Sequence, residues 1–144
     1  MRKGKAMMEI KIPIDVVPQG RPRFYKGHAV DPPASRKFKA DVAEFVAAYK
    51  VVDKLIDYPI NVTILIYRSI KKFNGKTGVT GKRYGDIDNL AKGILDALTG
   101  ILWKDDAQIV KLHVCKRLSD KPVINIIITP AFSDHKYYYM EDEI

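Results

Sequence analysis

Ile10, Ile12 and Ile14 alternate with Lys11, Pro13 and Asp15, a period of two that predicts a half-buried strand over 8–16. Pro13 favours a sheet edge, because proline brings no N–H to a ladder. Pro18-Gln-Gly-Arg-Pro-Arg-Phe24 then reads as a turn and an irregular basic loop, punctuated again at Asp31-Pro-Pro. Phe38, Val42, Phe45, Val46 and Tyr49 recur at helical spacing and predict a helix over 35–50, with Ser35 as its N-cap. Ile60, Val62, Ile64 and Ile66 predict a strand over 59–67. Residues 68–85 have no apolar period, hold four glycines and a run of cations, and read as a long basic loop. Leu90, Ile94 and Leu98, widened by Ala91, Leu95 and Ala97, predict a second helix over 88–99 that stops at Gly100. Two apolar strands, 108–118 and 122–130, follow, and the short Ser119-Asp120-Lys121 link predicts that they pair as a hairpin.

The order is β, α, β, α, β, β with no internal repeat and no linker. It predicts one α+β domain over 8–130, a small mixed sheet with two helices packed on it, between an N-terminal extension (1–7) and a tyrosine-rich, acidic tail (131–144). The chain has 144 residues, 47% of them hydrophobic, enough to bury a core. No apolar run is long enough to span a bilayer, and Met1–Met8 lacks the apolar centre of a signal peptide, so a cytoplasmic protein without membrane contact is expected.

Charge changes the picture. Residues 1–85 carry 18 basic and 7 acidic side chains, a net of +11, whereas 86–144 carry 7 and 10, a net of −3. Cations that meet phosphates beside concentrated carboxylates suit an enzyme acting on nucleic acid. The single cysteine, Cys115, excludes a disulfide within the chain and a multi-thiolate zinc site, and its apolar surroundings suggest a small core residue. The three histidines are scattered without ligand spacing, so a bound metal should be a hard, oxygen-ligated cation.

The carboxylates cluster in Gly85–Ile109. Asp86 and Asp88 stand two apart at a loop-to-helix junction, where extended backbone aims alternate side chains the same way. Asp88, Lys92 and Asp96 share the helix face opposite Leu90, Ile94 and Leu98. Asp105 and Asp106 follow the helix, and chain reversal is expected to bring them back beside Asp86 and Asp88. Converging carboxylates repel unless a cation sits among them, and Mg²⁺ is the natural occupant. Phosphodiester hydrolysis then follows chemically, with Lys92 stabilising negative charge on the phosphate. Each element also has a plainer reading: Asp88 as an N-cap, Lys92 in a surface pair with Asp88 or Asp96, and Asp105-Asp106 as a polar turn.

Asp86-Ile-Asp88-Asn89-Leu90-Ala-Lys92, then Asp96-Ala97-Leu98, then Asp105-Asp106-Ala-Gln108-Ile109 closely resemble the RusA family of Holliday-junction resolvases. Gly20-Arg-Pro-Arg-Phe24, Asp31-Pro and Lys116 are similar as well, so the resemblance covers roughly 8–130. It implies a homodimeric α+β nuclease, phage-encoded or bacterial, that makes paired, symmetric nicks at four-way DNA junctions in recombination and repair. It implies Asp86, Asp88 and Asp106 as catalytic, metal-holding acids, with Asp105 as a further ligand candidate, Lys92 as the essential lysine, and Mg²⁺ or Mn²⁺ as cofactor. Family members can carry a basic residue just before the first Asp; here it is Gly85, with Lys82 and Arg83 slightly upstream. Arg21, Arg23, Arg36, Lys37, Lys71, Lys72, Lys76, Lys82 and Arg83 are the candidates for DNA contact, with a solvated basic surface as the plainer alternative.

Three other readings stand beside this one: a nuclease for flaps or forks without junction specificity, a non-catalytic branched-DNA-binding protein, and an interaction module built on Tyr137-Tyr138-Tyr139.

Overall fold

The computed structural model describes residues 7–18, 23–49, 52–69 and 85–131. Strand β1 (Met8–Ile12) is followed by a small hairpin, β2 (Arg23–Tyr25) and β3 (His28–Val30). Helix α1 (Pro33–Tyr49), strand β4 (Ile60–Arg68), helix α2 (Ile87–Leu98), and strands β5 (Ile109–Leu118) and β6 (Val123–Pro130) complete the domain. The main sheet has the order β1-β6-β4-β5; β4 and β5 run parallel and the other pairs antiparallel. The fold is α+β with a mixed sheet, and β1, the strand that Pro13 ends, lies at an edge as expected.

One face of the sheet holds the core. Ile10 and Ile12, Ile124, Ile126 and Ile128, and Val62, Ile64 and Ile66 align across three strands and bury against Phe38, Val42 and Val46 of α1 and Leu90, Ile94 and Leu98 of α2. The period-two and period-four stripes of the sequence meet each other there.

Four details depart from the sequence reading. Helix α1 starts at Pro33, with the N–H of Arg36 donating to the carbonyl of Pro32; Ser35 lies buried in its first turn and is not the cap. Proline suits a first turn, whose N–H groups have no helical acceptor. The expected irregular loop contains the β2–β3 hairpin, turned by Lys26 (φ 50) and Gly27 (φ 80), the left-handed pair that matches the twist of a two-residue turn. Cys115 is only half buried, on the sheet face away from the helices, with its Sγ 3.1 Å from Nε2 of His113. Finally, β5 and β6 do not pair. β4 lies between them, and the 119–122 link crosses its end, where the N–H of Ser119 donates to the carbonyl of Arg68 at 2.9 Å. A short link fixes only that two strand ends are close, and β4, with four isoleucine or valine side chains buried on one face, takes a central place.

Candidate functional site

α2 carries the acidic motif. Its N-cap is Asp86, in extended conformation (φ −79, ψ 161), and the Asp86 side chain makes no capping hydrogen bond. The N–H of Leu90 donates to the backbone carbonyl of Asp86 at 2.9 Å, so the first helical turn closes without that carboxylate. Asp88 is exposed in the same turn, where the positive end of the helix dipole favours an anion. Lys92 is exposed one turn on and, among the described residues, is in ion-pair contact with neither Asp88 nor Asp96. The plainer readings of Asp88 as the N-cap and of Lys92 as half of a surface pair are therefore not what the molecule does: the cap position is Asp86, and Asp88 lies inside the first turn.

Asp105 is different. Its Oδ1 accepts from the N–H of Ala107 at 2.9 Å, and its own N–H donates to Oε1 of Gln108 at 2.8 Å, capping a short 3-10 turn (Asp106–Gln108). One Asp105 oxygen is thus committed to the turn. Nε2 of Gln108 donates to the carbonyls of Ile56 (2.9 Å) and Tyr58 (3.0 Å), which fastens the turn to the segment before β4. Burial, and then the charge of Asp57, raises the pKa of the Tyr58 hydroxyl. Asp106, beside this anchor, is exposed.

Chain reversal does not reunite the two acidic groups. α2 runs back along parallel β4 and β5, so Asp86 and Asp88 stand where β4 ends, while Asp106 stands where β5 begins. The 12 residues of α2 separate them by about 18 Å of helix, at about 1.5 Å per residue. Consistent with this, no three Asp, Glu, His or Cys side chains among the described residues lie close enough to hold a metal ion.

The end that carries Asp86 and Asp88 is built from parts that periodicity did not reveal. Arg68, the last residue of β4, has a side chain only 2% exposed. Its Nε donates to Oδ1 of Asp15 at 3.1 Å and its Nη2 to the carbonyl of Val16 at 3.2 Å. That clamps the strand-exit segment 13–18, whose last residue, Pro18, meets Gly85. A positive charge at the end of an apolar alternation was the available signal, since a buried arginine needs a built partner.

Among the candidate DNA contacts, Arg36 and Lys37 lie exposed in the first turn of α1. Lys37 Nζ donates to Oδ2 of Asp41 at 2.7 Å, and that hydrogen bond and charge raise its pKa. The side chains of Arg21 and Arg23, and residues Lys71, Lys72, Lys76, Lys82 and Arg83, lie outside the described residues, as does the tyrosine-rich tail. No described helix is long and apolar enough to cross a membrane.

Comparison with known proteins matches the arrangement to one family. The model of the endodeoxyribonuclease RusA family matches residues 13–129, from just after β1 to the penultimate residue of β6. The protein YqaN of Bacillus subtilis (strain 168), described as uncharacterized, is 35% identical over 126 residues, 78% of this chain and 88% of the relative. The match takes in Arg68, the Asp86–Lys92 motif and the Asp105–Gln108 turn, and the chain belongs to the RusA endodeoxyribonuclease family.

Proposed function

We propose that this protein is a Mg²⁺-dependent, structure-specific endodeoxyribonuclease that resolves four-way DNA junctions by paired, symmetric nicks, acting as a cytoplasmic homodimer. The observation that carries the reading is the start of α2. The Asp86 carboxylate is left out of the helix cap, Asp88 is exposed beside it, and Lys92 stands a turn away outside any pair with Asp88 or Asp96. These donors are oxygens only, which fits Mg²⁺ or Mn²⁺. Asp86, Asp88 and Asp106 would hold the ion, which when bound polarises a phosphoryl oxygen and lowers the pKa of a bound water. Lys92 contributes a cation for the charge that builds on the phosphate.

Because Asp106 lies at the far end of α2, a second copy supplies it in this reading. Among the described residues β5 has a strand neighbour on one side only, and it exposes Val110, Leu112 and Leu118 at 48%, 45% and 55%. Two β5 strands laid antiparallel about a two-fold axis set the beginning of one beside the end of the other. Asp106 of one copy then faces Asp86 and Asp88 of its partner. Two such sites suit a junction's two equivalent strands.

The test is cleavage of a labelled four-way junction and of linear duplex with Mg²⁺. Asp88→Asn and Asp106→Asn are each expected to be inactive. Mixed and re-associated, they form heterodimers with one intact site, which should restore roughly a quarter of the sites and give single, unpaired nicks. No restored cutting would remove the shared site, and equal cutting of duplex would leave a nuclease without junction specificity.

A further inference from the structure

Gly85 precedes the N-cap of α2, the position from which a side chain ordinarily packs onto the fourth helical residue to fix how the chain enters a helix. Here that fourth residue is Leu90, fully buried, and Gly85 has no side chain to offer. A Cβ built on Gly85 would lie 2.6 Å from Cγ of Pro18, 2.9 Å from its Cβ and 3.0 Å from Cδ2 of Leu90. The pyrrolidine of Pro18 thus occupies the place of the missing side chain. Gly85 itself adopts φ +93, a conformation that residues with a Cβ rarely enter.

We propose that Pro18 and Gly85 are positioning residues for Asp86 and Asp88: Pro18, held through Val16 and Asp15 by buried Arg68, fixes the entry of α2 from outside, so that the Asp86 carboxylate need not cap the helix and is kept for ligation. The inference depends on the nuclease reading for its catalytic consequence, though not for the packing. An ordinary Asp N-cap turns its carboxylate back onto the N–H groups of the first turn. At Asp86 that bond is absent while the helix is closed by backbone alone, and the pinning contact comes from a segment 67 positions earlier in the chain.

Gly100 provides the control. It adopts φ +86 beyond the other end of α2, and a Cβ there would meet nothing within 4 Å. Gly100→Ala therefore carries the backbone strain without the contact. Gly85→Ala is expected to lower kcat on the junction about 100-fold, as displacement of a reacting group by about 1 Å can, with KM within about twofold. Pro18→Gly, which leaves residue 85 unstrained, should lower kcat in the same sense by a smaller factor, and Gly100→Ala should leave kcat within about twofold of wild type. The double variant Gly85→Ala/Pro18→Gly should be no slower than Gly85→Ala, because the two changes disturb one contact. Amide resonances of Asp86–Asn89 should shift with Gly85→Ala and Pro18→Gly and not with Gly100→Ala. Unchanged resonances in Pro18→Gly, equal kcat losses in Gly85→Ala and Gly100→Ala, or multiplicative losses in the double variant would overturn the proposal. A wild type that cuts nothing overturns the nuclease reading instead, and the resonances still decide whether Pro18 sets the entry of α2.

Discussion

Asp105 and Gln108 close on each other: the N–H of Asp105 donates to Oε1 of Gln108 at 2.8 Å, while the Gln108 amide nitrogen reaches across to the carbonyls of Ile56 and Tyr58. One side chain thereby joins the turn that presents Asp106 to the segment that enters β4. Beside it, Trp103 is fully buried and its Nε1 donates to Oγ1 of Thr99 at 3.0 Å, so both flanks of the turn are anchored.

Gln108→Ala removes three hydrogen bonds, one accepted from the N–H of Asp105 and two donated to the carbonyls of Ile56 and Tyr58, and should cost about 2 kcal/mol, at about 1 kcal/mol per bond with the Lys104 N–H still on the Ile56 carbonyl and partial hydration of the exposed groups. Gln108→Glu keeps the acceptor for Asp105 but sets a carboxylate against two carbonyl oxygens. Those dipoles raise its folded pKa above the unfolded value, so the penalty is largest at neutral pH, is relieved as the pH falls through the raised folded pKa, and changes no further below about 4.3. Thermal unfolding of both variants at pH 7 and pH 4 checks this; a Gln108→Glu protein as stable as wild type at pH 7 contradicts it.

Lys92→Ala should reduce junction cleavage by a factor of about 10²–10³, the usual loss on removing a group that stabilises transition-state charge, while junction affinity changes less than tenfold. Single-turnover cleavage beside a binding titration separates the two. Retained cleavage would assign Lys92 to the solvated helix face.

Leu112→Lys places a charge on an exposed position of the edge strand β5, and should convert a dimer to monomer in sedimentation equilibrium. Cleavage should fall in step with the dimer fraction. A monomeric variant that still makes wild-type cuts would place all three acids' work within one chain.

Asp15→Ala takes one partner from a guanidinium that is 2% exposed and should destabilise the fold by about 3 kcal/mol, whereas Arg68→Met together with Asp15→Ala should cost less than either change alone would suggest. Urea denaturation of the single and double variants provides the measurement.

Periodicity made the two helices and all four main strands legible, because each element buries one stripe against one core. The positions of the candidate acids were legible as a pattern of residue types, and the family match spans that pattern. What remained hidden was relational. Nothing in the spacing of Asp88 and Asp106 says that a helix as long as α2 keeps them apart. Nothing in a four-residue link says that β4 slips between β5 and β6. Asp105 and Asp106 look alike in sequence, and only the Gln108 contact shows that one is held in a cap while the other is exposed.

The placing of β4 between β5 and β6 bears on how the polypeptide comes into being. Met8 lies opposite Ile128, and β6 joins β1 to the rest of the sheet. Of the four strands of the main sheet β6 leaves the ribosome last, so until it emerges β1 lacks the one strand it pairs with among the described residues and β4 has only β5 beside it. The closing contacts span nearly the whole domain, a high-contact-order arrangement that folds slowly and leaves isoleucine-rich strands uncovered in the meantime. A chain that stops before Val123 would lack the one strand that makes the sheet continuous, and should be recovered as aggregate rather than as a smaller, weaker version of the same protein.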